Sequence, residues 1–194
     1  MEVGMTATRR GRPPAGPERW NALVQAAYEC LAEGGFERLR MRDVATRVGI
    51  DHSSIHHHFP TKQDLVVAVV DHTTRQFWAT TPPDGGPVER LRHHLATLRQ
   101  KISDEPELHI VLRELDLRAR RDPELREIIA GRKEGWRNSL RTLLTDAAAA
   151  GALAPGVDPA TGAELVIATV KGASLAAEHA GDVLELLDHL LIRA

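Results

Sequence analysis

The sequence has little of what several classes of protein depend on. Its 194 residues contain one cysteine, Cys30, so no disulfide can form within the chain, and we expect a reducing, cytoplasmic location. No apolar run is long enough to span a bilayer, and the basic N-terminus lacks the apolar segment of a signal peptide. We therefore expect no membrane partner. No run of alternating apolar and polar residues indicates a β-strand.

Sequence motifs of common enzymes are also missing. HExxH, GxSxG and Walker motifs do not occur. An all-α metal-dependent enzyme, such as a ferritin-like oxygenase, would carry Glu-x-x-His on two facing helices, and this spacing is absent as well. The residues of the His56-His57-His58 triplet diverge by about 100° from one to the next on a helix, and no Cys or acidic cluster accompanies them. We expect no cofactor, no metal and no catalytic activity.

The charge of the chain is small in total but unevenly distributed. The net charge is −2, yet residues 1–62 hold nine basic against seven acidic side chains, and the acidic excess lies in the remainder. A basic excess at one end of a chain is typical of contact with a polyanion. Residues 1–16 have no hydrophobic periodicity, so we expect a disordered arm. Its Arg10 and Arg12, flanking Gly11, could enter an A·T minor groove, or the arm could be a solvated basic tail.

Residues 41–62 have the spacing of a helix-turn-helix. The preceding helix begins at Pro17, which suits a first turn, and is expected to end at Gly34-Gly35. A short apolar stripe then runs from Met41 to Val48, and Gly49 closes that helix. In such a motif one helix braces and the next lies in a DNA groove.

The predicted recognition helix begins after Asp51. The Asp51 carboxylate is predicted to cap this helix by accepting from the backbone N–H of Ser53 or Ser54. Ile55 and Phe59 are predicted to point inward. Thr61 to Asp64 then resembles a capping box at the start of a long helix.

The rest of the chain also has helical periodicity. Its breaks lie at proline- and glycine-containing stretches, including the turn-rich segment 81–87. Further helices are predicted at about 88–103, 106–120, 123–150, 158–179 and 182–193. The prediction is an all-α fold of about nine helices, with a basic arm at 1–16, a helix-turn-helix domain at 17–64 and a second helical domain at 65–194.

The first domain resembles the DNA-binding domain of the TetR family of transcriptional regulators. The resemblance spans residues 18–64 and is carried by Gly35-Phe36, Met41 to Ala45, Val48 to Ile50, Ile55, His58-Phe59, Lys62 and Leu65. The second domain is similar to this family only in general features. Three positions depart from the family pattern: Arg40 replaces a Ser or Thr cap, Ser53 a common Gly, and His56 a Tyr that usually reaches a phosphate.

The resemblance implies a homodimer on a pseudo-palindromic operator in double-stranded DNA. Each subunit would place one recognition helix in the major groove, and the last two helices would form the dimer interface. A small-molecule effector in the second domain would tilt the helix that begins at Lys62 and move the two recognition helices apart.

Three sets of residues follow as candidates. The candidates for DNA contact are Arg10, Arg12, Arg42, Thr46, Asp51, His52, Ser53, Ser54, His56, His57 and Lys62. The candidates for a ligand pocket are Phe77, Trp78, His94, His109, Leu112, Trp136 and Leu140, in a lining expected to be mainly aliphatic. The candidates for the dimer interface are Ala173, Ala177, Val183, Leu184, Leu187 and Leu191.

The predicted function is a dimeric repressor that a small, largely apolar ligand releases from DNA. Three alternatives stay open from the sequence: a repressor without a small-molecule inducer, an activator, and an all-α metal-dependent enzyme.

Overall fold

The computed structural model describes residues 16–78 and 84–193, apart from the side chains of Phe77, Trp78 and Ala177. These residues form nine α-helices and no β-strand, which confirms the predicted all-α class. Residues 1–15 of the predicted arm at 1–16, with Arg10 and Arg12, lie outside the described residues, and so do residues 81–83 of the predicted linker.

The described helices belong to two compact units, which meet in sequence at Val66 and Val67. The first unit contains α1 (Pro17–Arg38), α2 (Met41–Val48), α3 (His52–Ile55) and the start of α4 (Lys62–Trp78). The second contains the rest of α4, then α5 (Pro87–Asp104), α6 (Pro106–Ala119), α7 (Pro123–Ala149), α8 (Pro159–Ala173) and α9 (Ala180–Leu191).

The core of the first unit is built from the apolar stripe of α1 and the side chains that cover it. Leu23 and Leu31 on this stripe are fully buried, as is Leu39 after the helix. Cys30 is also buried, and burial raises the pKa of its thiol. The helix was predicted to end at Gly34-Gly35. It breaks there, because Gly35 has a φ of 63° and Gly34 is also non-helical, but α1 then continues to Arg38.

The turn between α2 and α3 depends on a left-handed glycine. Gly49 has φ 76° and ψ 34°, and its N–H donates to carbonyl groups at the end of α2. The next helix is short, since α3 ends at Ile55 and residues 56–58 form a turn. The predicted Asp51 cap is wrong in detail: its carboxylate accepts no capping hydrogen bond, and its backbone carbonyl accepts from Ser54 N–H at 2.9 Å.

The second unit is a helical bundle in which α7 packs against α5, α6 and α8, while α9 packs against α5 and α8. Prolines occupy the first turns of α5 to α8, where their missing N–H costs no helical hydrogen bond. Asp122 and Asp158 cap α7 and α8. The N–H of Thr161 lowers the pKa of the Asp158 carboxyl by hydrogen bonding to its charged form.

The predicted helix over 158–179 is wrong at its end. Helix α8 stops at Ala173, and one 3-10 turn at Ala177–His179 precedes α9. The Ser174 hydroxyl donates to the Lys171 carbonyl at 2.8 Å. Such side-chain bonds to the backbone compete with helix continuation, which the apolar periodicity alone does not reveal.

Substitution of two glycines by alanine should change stability in opposite directions. Gly49→Ala places a Cβ at φ 76°, so the free energy of unfolding should fall by roughly 1–2 kcal/mol. Gly131→Ala, in the exposed middle of α7 with open space around its Cα, should raise it by about 0.5–1 kcal/mol. Urea denaturation followed by circular dichroism measures both, and equal effects of the two substitutions would contradict the assigned backbone of Gly49.

Candidate functional site

An ion-pair cluster fastens α2 to α1 in the first unit. The Arg47 guanidinium makes two 2.8 Å bonds to the two carboxylate oxygens of Glu33 and a 3.3 Å bond to Glu29. The bond from Arg47 lowers the pKa of the Glu33 carboxyl, and the pKa of Arg47 is raised in return. Arg47 is therefore committed to holding α2 in place, unlike the other arginine of that helix, Arg42.

Most predicted DNA-contact residues are exposed in the first unit. Ser54 is half-buried. Arg10 and Arg12 lie outside the described residues. The exposed members of the set are Arg42, Thr46, Asp51, His52, Ser53, His56, His57 and Lys62. They belong to α2, to α3 and its following turn, and to the first residue of α4, so a short stretch of chain presents all eight.

Five of these side chains already have intramolecular partners, among them Arg42, whose Nε lies 3.8 Å from Asp43 Oδ1, and His52, whose ring centre lies 5.1 Å from that of His56. The Thr46 hydroxyl donates to the Arg42 carbonyl at 2.9 Å. His56 Nδ1 lies 3.1 Å from the Pro60 carbonyl oxygen, so this nitrogen carries the hydrogen and Nε2 is left for another contact. Lys62 Nζ lies 5.9 Å from the centre of the Phe36 ring. The predicted inward side chains also fit, since Ile55 and Phe59 are buried and His58 is half-buried.

The start of α4 is stabilised by the predicted capping box. Thr61 N–H donates to the Asp64 carboxylate at 2.9 Å, and Asp64 N–H donates to the Thr61 hydroxyl at 3.1 Å. These reciprocal bonds satisfy backbone donors that a helix start would leave open. They place Lys62 on the first turn of α4.

A cavity of about 520 Å³ lies within the second unit. It is lined by parts of α4, α6, α7 and α8, and it contains three predicted pocket residues, His109, Leu112 and Trp136. The side chains of Phe77 and Trp78 lie outside the described residues. His94 and Leu140 do not line the cavity. Leu140 is fully buried in the core, and His94 is buried where its Nε2 accepts from Trp136 Nε1 at 3.4 Å.

The lining is more charged than predicted. Aliphatic side chains such as Val70, Ile129 and Val170 are present, as expected. The lining also contains six cations, Arg113, Arg120, Arg132, Lys133, Arg137 and Lys171. The sequence carried a signal for two of them. Leu112 and Arg113 follow His109 by three and four residues, and Arg120, directly after α6, follows Arg113 by seven, so all four lie towards one side of this helix.

The predicted interface residues divide between the two sides of their helices. Ala173, Leu184, Leu187 and Leu191 are buried within one copy of the chain, and their place at an interface stays a prediction. The Ala177 side chain lies outside the described residues. Val183 is exposed, and so are Leu165, Leu175, Leu186 and Leu190. Both sides of α9 are apolar, so the helical period of 3.6 residues does not tell from sequence which side faces the core.

Residues 16–78 and 84–193 contain neither a membrane-spanning helix nor a cluster of potential metal ligands. No helix there is long and apolar enough to cross a membrane. No cluster of three or more His, Cys, Asp or Glu residues there could hold a metal ion.

Two family profiles match the chain. The profile "Bacterial regulatory proteins, tetR family" matches residues 23–69, and "BetI-type transcriptional repressor, C-terminal" matches residues 87–187, which is more than half of the chain. The chain belongs to the TetR family of transcriptional regulators. The predicted resemblance of the first domain is therefore confirmed and extends to the second.

Individual relatives of this TetR-family regulator are regulators too. An "HTH-type transcriptional repressor" of Mycobacterium tuberculosis is 39% identical over 83 residues, which cover 40% of this chain and 44% of that protein. The "Fatty acid metabolism regulator protein" of Bacillus subtilis is 24% identical over 78% of this chain and 79% of its own. A crystal structure of a Rhodococcus transcriptional regulator has a TM-score of 0.73 and 25% identity, covering 89% and 95% of the two chains.

The match to the mycobacterial repressor is partial. It spans less than half of the length of that relative. Regulators of the TetR family bind DNA, and the DNA, operator and effector of this chain belong to the proposals below.

The regulator should lose stability at acidic pH through a buried histidine. Burial lowers the pKa of His94 from its ordinary value near 6.5 to about 4. The unfolded chain therefore takes up this proton first, so stability is full above about pH 6.5 and falls as the pH drops towards 4, by about 3 kcal/mol at most.

Denaturation at several pH values checks this effect. His94→Gln, which keeps an acceptor for Trp136, should flatten the pH dependence between about 4 and 6.5. Some dependence should persist, because burial also lowers the pKa of His109. His179→Gln, at an exposed position, is the control. Identical slopes for wild type and His94→Gln would show that His94 does not contribute.

Proposed function

We propose that this protein is a dimeric repressor that leaves its operator when a small molecule fills the cavity of the second unit. The observation that supports this best concerns α4. This helix begins with Lys62, a candidate phosphate contact, and continues to Val70, Thr73 and Thr74, which line the cavity. One continuous helix therefore belongs to both candidate sites, and a ligand that shifts it acts on both.

The division of labour follows the two units. Residues 17–64 bind DNA, with residues 1–16 as an additional basic arm, and residues 65–194 bind the effector and the second subunit. Release is a shift of populations. The effector has a higher affinity for the conformation that does not bind DNA than for the conformation that does.

The contacts to DNA divide into positioning and reading. Arg42 on α2 and Lys62 on α4 contact phosphates, since exposed cations near a helix-turn-helix set its register on the duplex. His52, Ser53 and His57 on or next to α3 read base edges in the major groove. The Thr46 hydroxyl acts only as an acceptor or through water, because its hydrogen is donated to the Arg42 carbonyl.

The dimer interface lies on the apolar surface left exposed by α8 and α9. On α9, Val183, Leu186 and Leu190 follow one another at three- and four-residue steps, with 43%, 58% and 56% exposure. Leu165 on α8 is 44% exposed. An apolar patch of this kind is unfavourable in water and marks an interaction surface. Two copies of the helix-turn-helix then match the two-fold symmetry of an operator.

The effector has an apolar part. The aliphatic lining supports this, and so does the similarity over most of the chain to the Bacillus regulator, whose name concerns fatty acid metabolism. A repressor without a small-molecule inducer is the alternative, and the size of the cavity argues against it, because about 300–1,000 Å³ is the usual range for small-molecule sites.

Binding to the DNA that flanks its own gene tests the first part of the proposal. Fluorescence anisotropy at several salt concentrations should show specific binding that weakens steeply with salt through counterion release. Arg42→Gln and Lys62→Gln should each weaken binding and reduce the salt slope by about one per subunit. Arg121→Gln, an exposed arginine between α6 and α7, should leave both unchanged. Equal affinity for random DNA would refute the repressor.

The size of the particle tests the interface. Leu186→Glu combined with Leu190→Glu should give a folded monomer in sedimentation experiments, because two charges per subunit would be buried in the apolar contact. Ala148→Glu, at an exposed position on α7, is the control and should stay dimeric. A dimer that survives the double substitution, with unchanged helical circular dichroism, would place the interface elsewhere.

A further inference from the structure

The cavity of the second unit carries an excess of positive charge. Its six cations come from three helices and their ends, with Arg113 on α6, Arg120 directly after α6, the next three on α7 and Lys171 on α8. One carboxylate, Asp116, belongs to the same lining. A neutral apolar ligand has no need of this charge, and a cationic ligand would be repelled by it.

Half of these cations are held by carboxylates of the protein. Lys133 Nζ lies 2.6 Å from Asp116 Oδ1, and Arg132 lies 2.7 Å from Asp71 Oδ1. Arg137 pairs with two glutamates, at positions 134 and 164. The carboxylates in these pairs offset the positive charge of the three cations on α7.

The other three cations have no such carboxylate. Within the part of the chain that the structure describes, Arg113, Arg120 and Lys171 make no ion-pair contact with a carboxylate, although the charge of Lys171 helps to lower the pKa of the Glu164 carboxyl. Arg113 makes one hydrogen bond, from Nε to the His109 carbonyl at 3.3 Å, which leaves its terminal nitrogens for another acceptor. All three residues are exposed, whereas Leu115, Ile129 and Val170 of the same lining are buried. The cavity thus combines an apolar interior with cations at its solvent-exposed edge.

Neutral hydrogen-bond donors of the lining are already used. The hydroxyls of Thr73 and Thr74 donate to carbonyls one turn earlier in α4. The Ser174 hydroxyl donates to the Lys171 carbonyl, and Trp136 Nε1 donates to His94. A polar ligand that needs neutral donors, such as a sugar or an alcohol, finds these four occupied. A ligand group that accepts hydrogen bonds from guanidinium and ammonium ions finds three such side chains, Arg113, Arg120 and Lys171.

We infer that the effector is an amphipathic carboxylate, with its apolar body in the interior of the cavity and its carboxylate on Arg113, Arg120 and Lys171. The inference rests on the proposed function, since it names the chemical class of the ligand for that cavity. Arginine binds a carboxylate through two parallel hydrogen bonds, and charge-assisted bonds are about twice as strong as neutral ones. The apolar body contributes affinity through burial, while the three cations select the ionised head.

Calorimetric titration of the full-length protein with matched probes tests the inference. The probes are octanoate with octanamide and octylammonium, and 1-naphthoate with 1-naphthamide, all at one ionic strength. Within a set the apolar body is constant and the head changes. At least one acid should bind about tenfold more tightly than its amide, and octylammonium should bind more weakly than octanamide.

Substitutions then locate the head. Arg113→Gln, Arg120→Gln and Lys171→Gln should each weaken binding of the acid by about fivefold, a moderate factor because the side chains are partly hydrated. Binding of the amide should stay unchanged, which also shows that each variant is folded. Arg121→Gln is the matched control for Arg120→Gln, since it is the next residue, exposed and outside the lining.

Several outcomes would overturn the inference. These are equal affinity for each acid and its amide, tighter binding of octylammonium, no binding of either acid, or the same loss of affinity in Arg121→Gln as in Arg120→Gln. Failure of this inference is distinguishable from failure of the proposed function by an anisotropy measurement. If an amide releases the operator as well as its acid does, the ligand-released repressor stands without the carboxylate. If the protein without ligand binds no specific DNA, the repressor itself fails.

Discussion

The burial of two side chains holds the helix-turn-helix together. A helix of four residues has no stability of its own, because nucleation costs more than so few hydrogen bonds return. Helix α3 is kept by Ile55, which is fully buried, and by Phe59 just after it, 5.7 Å from the ring of Trp20 on α1. The exposed polar residues of α3 depend on these two contacts for their position, and the Arg47 pair with Glu33 holds the helix before them.

The second unit uses its charges in two ways. Ion pairs across helices, such as Lys133 with Asp116 and Arg137 with Glu164, join α6 to α7 and α7 to α8. Pairs of this exposure contribute little stability each, about 0–1 kcal/mol. Their greater effect is to neutralise some cations and leave others, so that the distribution of acids decides which parts of the cavity remain positive.

Fold class and helix order could be predicted because apolar periodicity and the positions of Pro and Gly act locally. The starts of α5 to α8 at prolines and the capping box at Thr61 are examples. Errors arose where a non-local contact decides the outcome. The side of α9 that faces its own core could not be told from the outer side, because Leu184 and Leu186 are equally apolar and their environments differ only through α5 and α8.

The candidate sites were predictable to different degrees. Residues for DNA contact sit in one short stretch with a recognisable spacing, so sequence alone was enough to nominate them. The cavity is assembled from four helices that are far apart in the chain, and its charge depends on which carboxylates lie near which cations. Among the described residues Lys171 makes no ion-pair contact, and the sequence cannot show this, because Glu164 lies two turns before it on the same helix but pairs with Arg137 instead.

The buried thiol has a practical consequence for measuring motion. Cys30 is the one cysteine in the sequence, is 4% exposed and has a raised pKa, so little reactive thiolate is present. A cysteine introduced on the surface would therefore take up a spin label or fluorophore almost alone. The native chain is thus a ready background for site-directed labelling and distance measurements, with no residue to remove first.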